Sequence, residues 1–222
     1  MSSINPEFLL QAYRMGIFPM AMEEGEIGWF SPDPRGIIPL DSFHVPKSLK
    51  RVISSGRFNV RINGSFGDVI DGCAEREETW IDETVRDSYL NLNGRGYAHS
   101  VECWLDGELA GGLYGVAIGG AFFGESMFSL RTNASKVAFI ALSKACAQGG
   151  VELIDCQVDN PHLLSLGATS MPRKDFENHL RDAIKVSMKD ILSNPLCLVP
   201  TRQQSLPERL GSIAAQSAEE LL

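Results

Sequence analysis

Three apolar runs divided by two glycine turns constrain this chain more than any other feature. "AHSVECWL", "ELAGGLYGVAI" and "AFFGESMF" are separated by Asp106-Gly107 and Gly119-Gly120. Such pairs accept the positive φ that a two-residue hairpin demands, so the runs are predicted to form an antiparallel meander. A helical pattern from about Ser135 to Gln148 follows and stops at Gly149-Gly150. The chain then enters one more short run, "VELIDCQV". A meander, a helix and a further strand, preceded by other helices, describe an α+β fold.

That last run is unusual for a strand in a core, because it holds Asp155 and Gln157. Side chains alternate across a strand, which puts Val151, Leu153, Asp155 and Gln157 on one face. An unpaired buried carboxylate is costly or takes up a proton. What Asp155 faces therefore decides whether the strand is scaffold or site. "GESMF" is the second polar spot: strict alternation groups Phe123, Glu125 and Met127, a carboxylate between two large apolar side chains. Alone, Glu125 reads as an edge-strand charge. Beside Asp155, at the same end of the predicted sheet, it becomes a candidate for a shared cleft. Ser126 and Ser129 lack a G-x-S-x-G elbow and a placed histidine, His99 reads as a satisfied core residue, and Cys156 as an inert buried thiol. His162, just past the strand, has the better claim on the site.

The remaining chain is punctuated clearly. Asn5, Pro6 and Glu7 open a helix that Gly16 ends. "IFPMAMEEGEIGWFSPDPRGIIP" is too rich in Pro and Gly for a helix and reads as a connector or wall. Helices are predicted at about Pro46 to Ser54, Phe66 to Ala74 and Glu83 to Leu92, with "RFNVRIN" a half-buried strand between the first two. "DNPHLLSLGA" makes a turn and short helix, and "PRKDFENHLRDAIKVS" an amphipathic helix. The expected division is a small N-terminal domain over residues 1–35, a main domain over 36–193 and a Pro-, Ser- and Gln-rich tail over 194–222.

Composition excludes some classes. Apolar runs such as "VAFIAL" fall far short of the ~18 to 20 residues of a membrane span. "MSSINPEFLL" lacks the basic head and apolar centre of a secretory signal, which points to the cytoplasm. Five scattered cysteines without a C-x-x-C pair argue against a disulfide framework and a zinc site, so no metal is expected. A net charge of −8 speaks against nucleic acid until its distribution is read. Residues 35–61 carry six bases (Arg35, Lys47, Lys50, Arg51, Arg57, Arg61) against Asp41 alone, whereas 68–87 carry eight acids against two bases. One positive face on an acidic body suits the grip of an RNA helix end, with Lys47, Lys50 and Arg51 spaced along one side of a helix.

The element order resembles the acyltransferase core typified by the GCN5-related N-acetyltransferases, whose last strand runs parallel to its neighbour and splays from it. Coenzyme A enzymes of that core carry a Q/R-x-x-G-x-G/A loop whose N–H groups cradle the pyrophosphate. The corresponding junction here reads "FSLRTNASK". An acyl group would thus arrive on another carrier, and no cofactor is expected.

A longer set of segments resembles the leucyl/phenylalanyl-tRNA–protein transferase family: "AYRMGIFPM", "WFSPDPRGIIP", "TWI", "AHSVE", "GGLYGVAIGGAFFGESMFS", "NASK", "LIDCQV", and "SLGA" followed by "PRKDF". The resemblance implies a small N-terminal domain joined to an acyltransferase-like domain. It implies transfer of Leu, Phe or Met from aminoacyl-tRNA to proteins beginning with Arg or Lys, which marks them for N-end rule degradation, by an enzyme expected to act as a monomer. Matched residue by residue, Asp155 and Gln157 fall on the family's catalytic pair and Glu125 on the glutamate of its "GESMFS" motif. Asp155 with Gln157 is then expected to draw in the acceptor ammonium and help remove its proton, and Glu125 to supply negative charge. Trp80 matches a tryptophan near the terminal adenosine. Phe122, Met127 and Ile154 match the lining of the pocket for the transferred side chain. Lys47, Lys50 and Arg51 match a region that holds the acceptor stem. Met20 stands where many members have Trp, Leu113 where Met is common, and Leu142 and Cys146 where aromatics occur. On the residues alone, a CoA-dependent N-acetyltransferase and a non-catalytic tRNA- or degron-binding protein stay open as alternatives.

Overall fold

Both glycine turns form with the backbone their sequences favour. Asp106 and Gly107 take φ of 52° and 87°, and Gly119 takes 55°. The computed structural model describes residues 3–22, 25–40, 45–75 and 79–186, so the expected tail at 194–222 lies outside the described residues. Its elements are α1 (Pro6–Arg14), β1 (Phe18–Ala21), β2 (Ile27–Phe30), β3 (Arg35–Ile38), α2 (Lys47–Ser54), β4 (Asn59–Ile62), α3 (Phe66–Ala74) and α4 (Glu83–Gly94). Then come β5 (Ala98–Leu105), β6 (Glu108–Ile118), β7 (Ala121–Ser129), α5 (Ala134–Gly149), β8 (Leu153–Gln157), α6 (Pro161–Leu164), β9 (Thr169–Met171) and α7 (Arg173–Ala183).

The fold is α+β, built on a mixed seven-stranded sheet in the order β4-β5-β6-β7-β8-β3-β9. The predicted meander is its centre, and β8 joins parallel to β7. One face of the sheet is covered by α2 and α5. Leu49 of α2, and Phe139, Leu142 and Cys146 of α5, pack there on Val101, Leu113, Phe122 and Ile154. The other face carries α1, α3, α4 and α7, through Tyr13, Val69, Tyr89 and Phe176, against Tyr114, Phe123 and Leu153. Burial on both sides explains why β6 reads as an almost unbroken apolar run instead of an alternating one. The positive φ of Gly150 (79°) ends α5 and turns the chain into β8.

The segment read as a connector or wall proves to be strand. β1 and β2 pair as a separate hairpin, and β3 inserts between β8 and β9. Four-residue strands broken by Pro and Gly carry no internal period; their partners fix them. The insertion also changes the charge count, because Arg35 is wholly buried and does not belong to the basic face. No helix among the described residues is long and apolar enough to cross a membrane.

Candidate functional site

Two strand irregularities meet at the centre of the sheet. The β7–β8 pairing runs from Ala121 with Leu153 to Phe123 with Asp155 and then stops, although β7 continues to Ser129. Beyond that point the β6–β7 register shifts, so that Tyr114 faces Ser126 while Gly115 faces Gly124 and Glu125 is the extra residue. A similar shift on β8 pairs Gly36 with Gln157 and Ile37 with Asp155, leaving Cys156 extra. Bulges of this kind bend a strand and re-aim its side chains. The bulge corrects the strict alternation expected for β7: Phe123 joins the core under α1 and α4, whereas Met127 packs toward α5. Gln157 is itself left-handed, with φ of 64°.

The strands part around a cavity of about 730 Å³. Glu125, Asp155 and Gln157 all line it, as do Trp80, Met20, Leu113, Met127 and Ile154. Phe122 does not line it: this residue is fully buried in the core on the α5 side. Lys47, Lys50 and Arg51 lie outside it, exposed on α2. Leu142 is in the wall, and so is His162, whose pKa is lowered by burial and by nearby Lys136. The apolar wall of Leu113, Met127, Phe139, Leu142 and Ile154 belongs to the α5 side of the sheet, and the hydrogen-bond partners of the carboxylates come from the opposite side. Cys156 also reaches the wall, but burial pushes its thiol up to about 12, which leaves it a poor nucleophile near neutral pH. His99 is a core residue, with its Nδ1 hydrogen-bonded to Asn63 Nδ2 at 3.0 Å.

Asp155 answers the question its strand poses. It is fully buried and gripped from both oxygens by Arg35, with Nε to Oδ1 at 2.8 Å and Nη2 to Oδ2 at 2.6 Å. The Gln157 backbone N–H also donates to Oδ1, at 2.8 Å. Arg35 Nη1 donates to the Gly16 carbonyl at 3.0 Å, and its guanidinium carbon lies 5.0 Å from the Phe18 ring and 4.6 Å from the Phe176 ring. Such a planar fork suits two-point capture of a carboxylate and stacking on aromatics at once.

Glu125 has a different setting. Its Oε1 accepts from Tyr13 Oη at 2.7 Å and from Gln157 Nε2 at 3.1 Å, and its Oε2 accepts from Tyr89 Oη at 2.9 Å. The two tyrosine hydroxyls also contact each other. Burial pushes the Glu125 carboxyl up to about 7, partly offset by the hydrogen bonds and assisted by the charge of Asp155. Both tyrosine hydroxyls sit well above their usual range, through burial first and the neighbouring Glu125 charge next.

Arg35, Tyr13 and Tyr89 were not singled out from sequence. Tyr13 follows Leu9 and Leu10 at helical spacing, a signal of core but not of what it reaches 112 residues later. The arrangement can hold an apolar group against the α5 side and a cation against Glu125, with an amide between them.

Comparison with known proteins agrees in its reach along the chain. A family model described as leucyl/phenylalanyl-tRNA protein transferase matches residues 37–181, and one for the N-terminal domain of that enzyme matches residues 2–33. The leucyl/phenylalanyl-tRNA–protein transferase of Rubrobacter xylanophilus is 50% identical over 82% of this chain and 96% of its own length. Those of Salinibacter ruber and Aromatoleum aromaticum are 47% and 51% identical, over 83% and 78% of this chain and 82% and 75% of their own.

Proposed function

The chain belongs to the leucyl/phenylalanyl-tRNA–protein transferase family and is an aminoacyltransferase; from that premise we propose that the cavity between β7 and β8 is where a charged tRNA end meets the α-amine of an acceptor protein. One observation carries the reading: a single cavity has an apolar wall on one side of the sheet and two carboxylates, Asp155 buried and Glu125 half-buried, hydrogen-bonded from the other. Two substrates of opposite character need such a site. The order of meander, α5 and parallel β8 supports an acyltransferase-like core related to the GCN5 group.

The aminoacyl ester is already activated, so transfer needs alignment and a free amine but no covalent enzyme intermediate. Leu113, Met127, Phe139, Leu142 and Ile154 receive the donor side chain: Leu, Phe or Met. A hydrophobic pocket separates neighbours by only about 1 to 3 kcal/mol per methylene, so rejection of Ile rests on steric clash near Cβ. Trp80 and Met20, which line the same cavity and pack against the core on the α1 and α4 face, flank the terminal adenosine. The carboxylate region receives proteins with N-terminal Arg or Lys, whose modification commits them to N-end rule degradation in the cytoplasm. Asp155 and Gln157 organise the junction. Lys47, Lys50 and Arg51 on α2 hold the acceptor stem, and the enzyme works as a monomer.

Incubation with tRNA charged with labelled Leu, Phe, Met or Ile, and a protein bearing N-terminal Arg or Lys, tests the reading directly. Label is expected to move from the first three and much less from Ile. No transfer from any donor refutes it, and equal use of Ile removes the shaped pocket.

A further inference from the structure

We infer that Glu125, and not Asp155, is the group that takes the proton from the incoming α-ammonium, with Tyr13 and Tyr89 completing a hydrogen-bonded ring that stores that proton. This rests on the transferase reading above. It reassigns proton removal, which the family resemblance leads one to expect of Asp155 paired with Gln157.

The two carboxylates differ in what is left for a substrate to use. Asp155 borders the cavity but is fully buried, and both of its oxygens are engaged by Arg35 and the Gln157 N–H. Loss of its charge would leave the buried Arg35 cation without its partner, a strongly unfavourable arrangement. Asp155 is therefore a fixed anchor: it neutralises Arg35 and holds the backbone of Gln157, whose side-chain amide then reaches Glu125. Glu125 is half-buried, lines the cavity and, among the described residues, has no cationic side chain as a hydrogen-bond partner.

The proton count in the ring decides which form of Glu125 the site accommodates. Tyr13 Oη, Tyr89 Oη and the two carboxyl oxygens make three oxygen–oxygen contacts: Tyr13 with Oε1, Tyr89 with Oε2, and Tyr13 with Tyr89. Two phenols carry two protons, which cover two contacts. A protonated carboxyl supplies the third: Oε2 donates to Tyr89, Tyr89 to Tyr13 and Tyr13 to Oε1, which also accepts from Gln157 Nε2. In the ionised form one contact is left with lone pairs opposed. A carboxyl so placed readily accepts a proton, and its pKa near 7 suits exchange with an amine near neutral pH. Among the described residues the titratable groups around it are Tyr13 of α1, Tyr89 of α4 with Tyr114 of β6 behind it, Asp155 of β8 backed by Arg35 of β3, and Cys156 and His162 in the cavity wall.

The transfer step balances with these groups. Ionised Glu125 takes one proton from the α-ammonium. The freed lone pair forms the new C–N bond to the ester carbonyl carbon, and the bond from that carbon to the ribose oxygen breaks. The second proton lost by nitrogen passes to the leaving ribose oxygen, and the proton on Glu125 returns to water when the products depart.

Single-turnover transfer from saturating charged tRNA to an Arg-terminated peptide, measured as a function of pH, tests the assignment. In the wild type the rate is expected to rise through a midpoint near the Glu125 ionisation at about 7. Glu125→Gln keeps the shape of the ring but cannot take the proton. Its rate is expected to fall by about tenfold or more at neutral pH and to recover only as the amine, with its own pKa of about 8, loses its proton unaided. The double variant Arg35→Met, Asp155→Asn, which leaves neither buried charge alone, is expected to be slower but to keep a midpoint, moved somewhat lower because the charge of Asp155 no longer raises the Glu125 carboxyl. Glu125→Gln with a wild-type profile, or loss of the midpoint in the double variant alone, overturns the inference. A readout independent of activity and of the double variant's folding is the infrared difference between wild type and Glu125→Gln. A protonated carboxyl band must be present below about pH 6 and lost above about pH 8; a carboxyl already ionised at about pH 5 overturns the inference. Absence of transfer by the wild type overturns the transferase reading as well, whereas active wild type with an unaltered variant profile overturns this inference alone.

Discussion

Glu125 is held by a fold that favours its neutral form, and that has a consequence for stability as well as for chemistry. Its carboxyl titrates at about 7 in the folded protein, against about 4.3 in an unfolded chain. Between those values the folded state binds more protons than the unfolded one, so stability falls as pH rises across the window. The contribution is fully present below the unfolded value and lost above the folded one. Glu125→Gln lacks this dependence. Its melting temperature relative to wild type is expected to increase from about pH 5 to about pH 8. Thermal melts at both pH values check this, and a difference that stays constant or shrinks is the contrary result. Residue identity alone revealed Asp155, Gln157 and Glu125 as polar intruders in apolar strands. It did not reveal Arg35, because the partner that buries it lies 120 residues away.

At the scale of elements, α2 is the clearest candidate for the RNA. It buries Leu49 and exposes Lys47, Lys50 and Arg51, and among the described residues none of the three forms an ion pair with an acid. Lys144 of α5 was not singled out from sequence, yet burial and the nearby charge of Lys50 lower its pKa, which places a fourth cation against the same helix. Clustered like charges without acids favour a polyanion. Replacing Lys47, Lys50 and Arg51 together with Ala is expected to weaken tRNA binding and to flatten the slope of log K against log salt by up to about 3. Fluorescence anisotropy titrations at several salt concentrations measure both; unchanged affinity and slope move the acceptor stem elsewhere. The helix was legible because Pro46 and Gly56 bracket it and its apolar and basic positions separate by period. The bulges at Glu125 and Cys156 were not, since a bulge is defined by the register of two strands and leaves no mark on either one.

At the scale of the whole molecule, the far end of the meander is tied to the last described helix. Gly119, at positive φ, leaves no room for a side chain: an added Cβ would lie 2.3 Å from the Ile184 carbonyl oxygen, and Gly120 N–H donates to Ala183 O at 2.8 Å. α7 in turn presses Phe176 on Arg35, so the β6–β7 turn supports the site from a distance. Gly119→Ala is expected to cost about 2 kcal/mol or more through left-handed strain and the clash. Chemical denaturation measures the loss, and wild-type stability would show that the turn tolerates a side chain. What the sequence by itself determined is local: the meander from its glycine turns, the helices from their caps and periods, and the polar residues that do not belong in a core. The tertiary structure alone decided that β3 enters the main sheet, that Asp155 is spent on Arg35, and that Glu125 meets two tyrosines from separate helices. Turn and cap preferences act within a few residues, whereas burial, register and charge pairing depend on groups that only folding brings together.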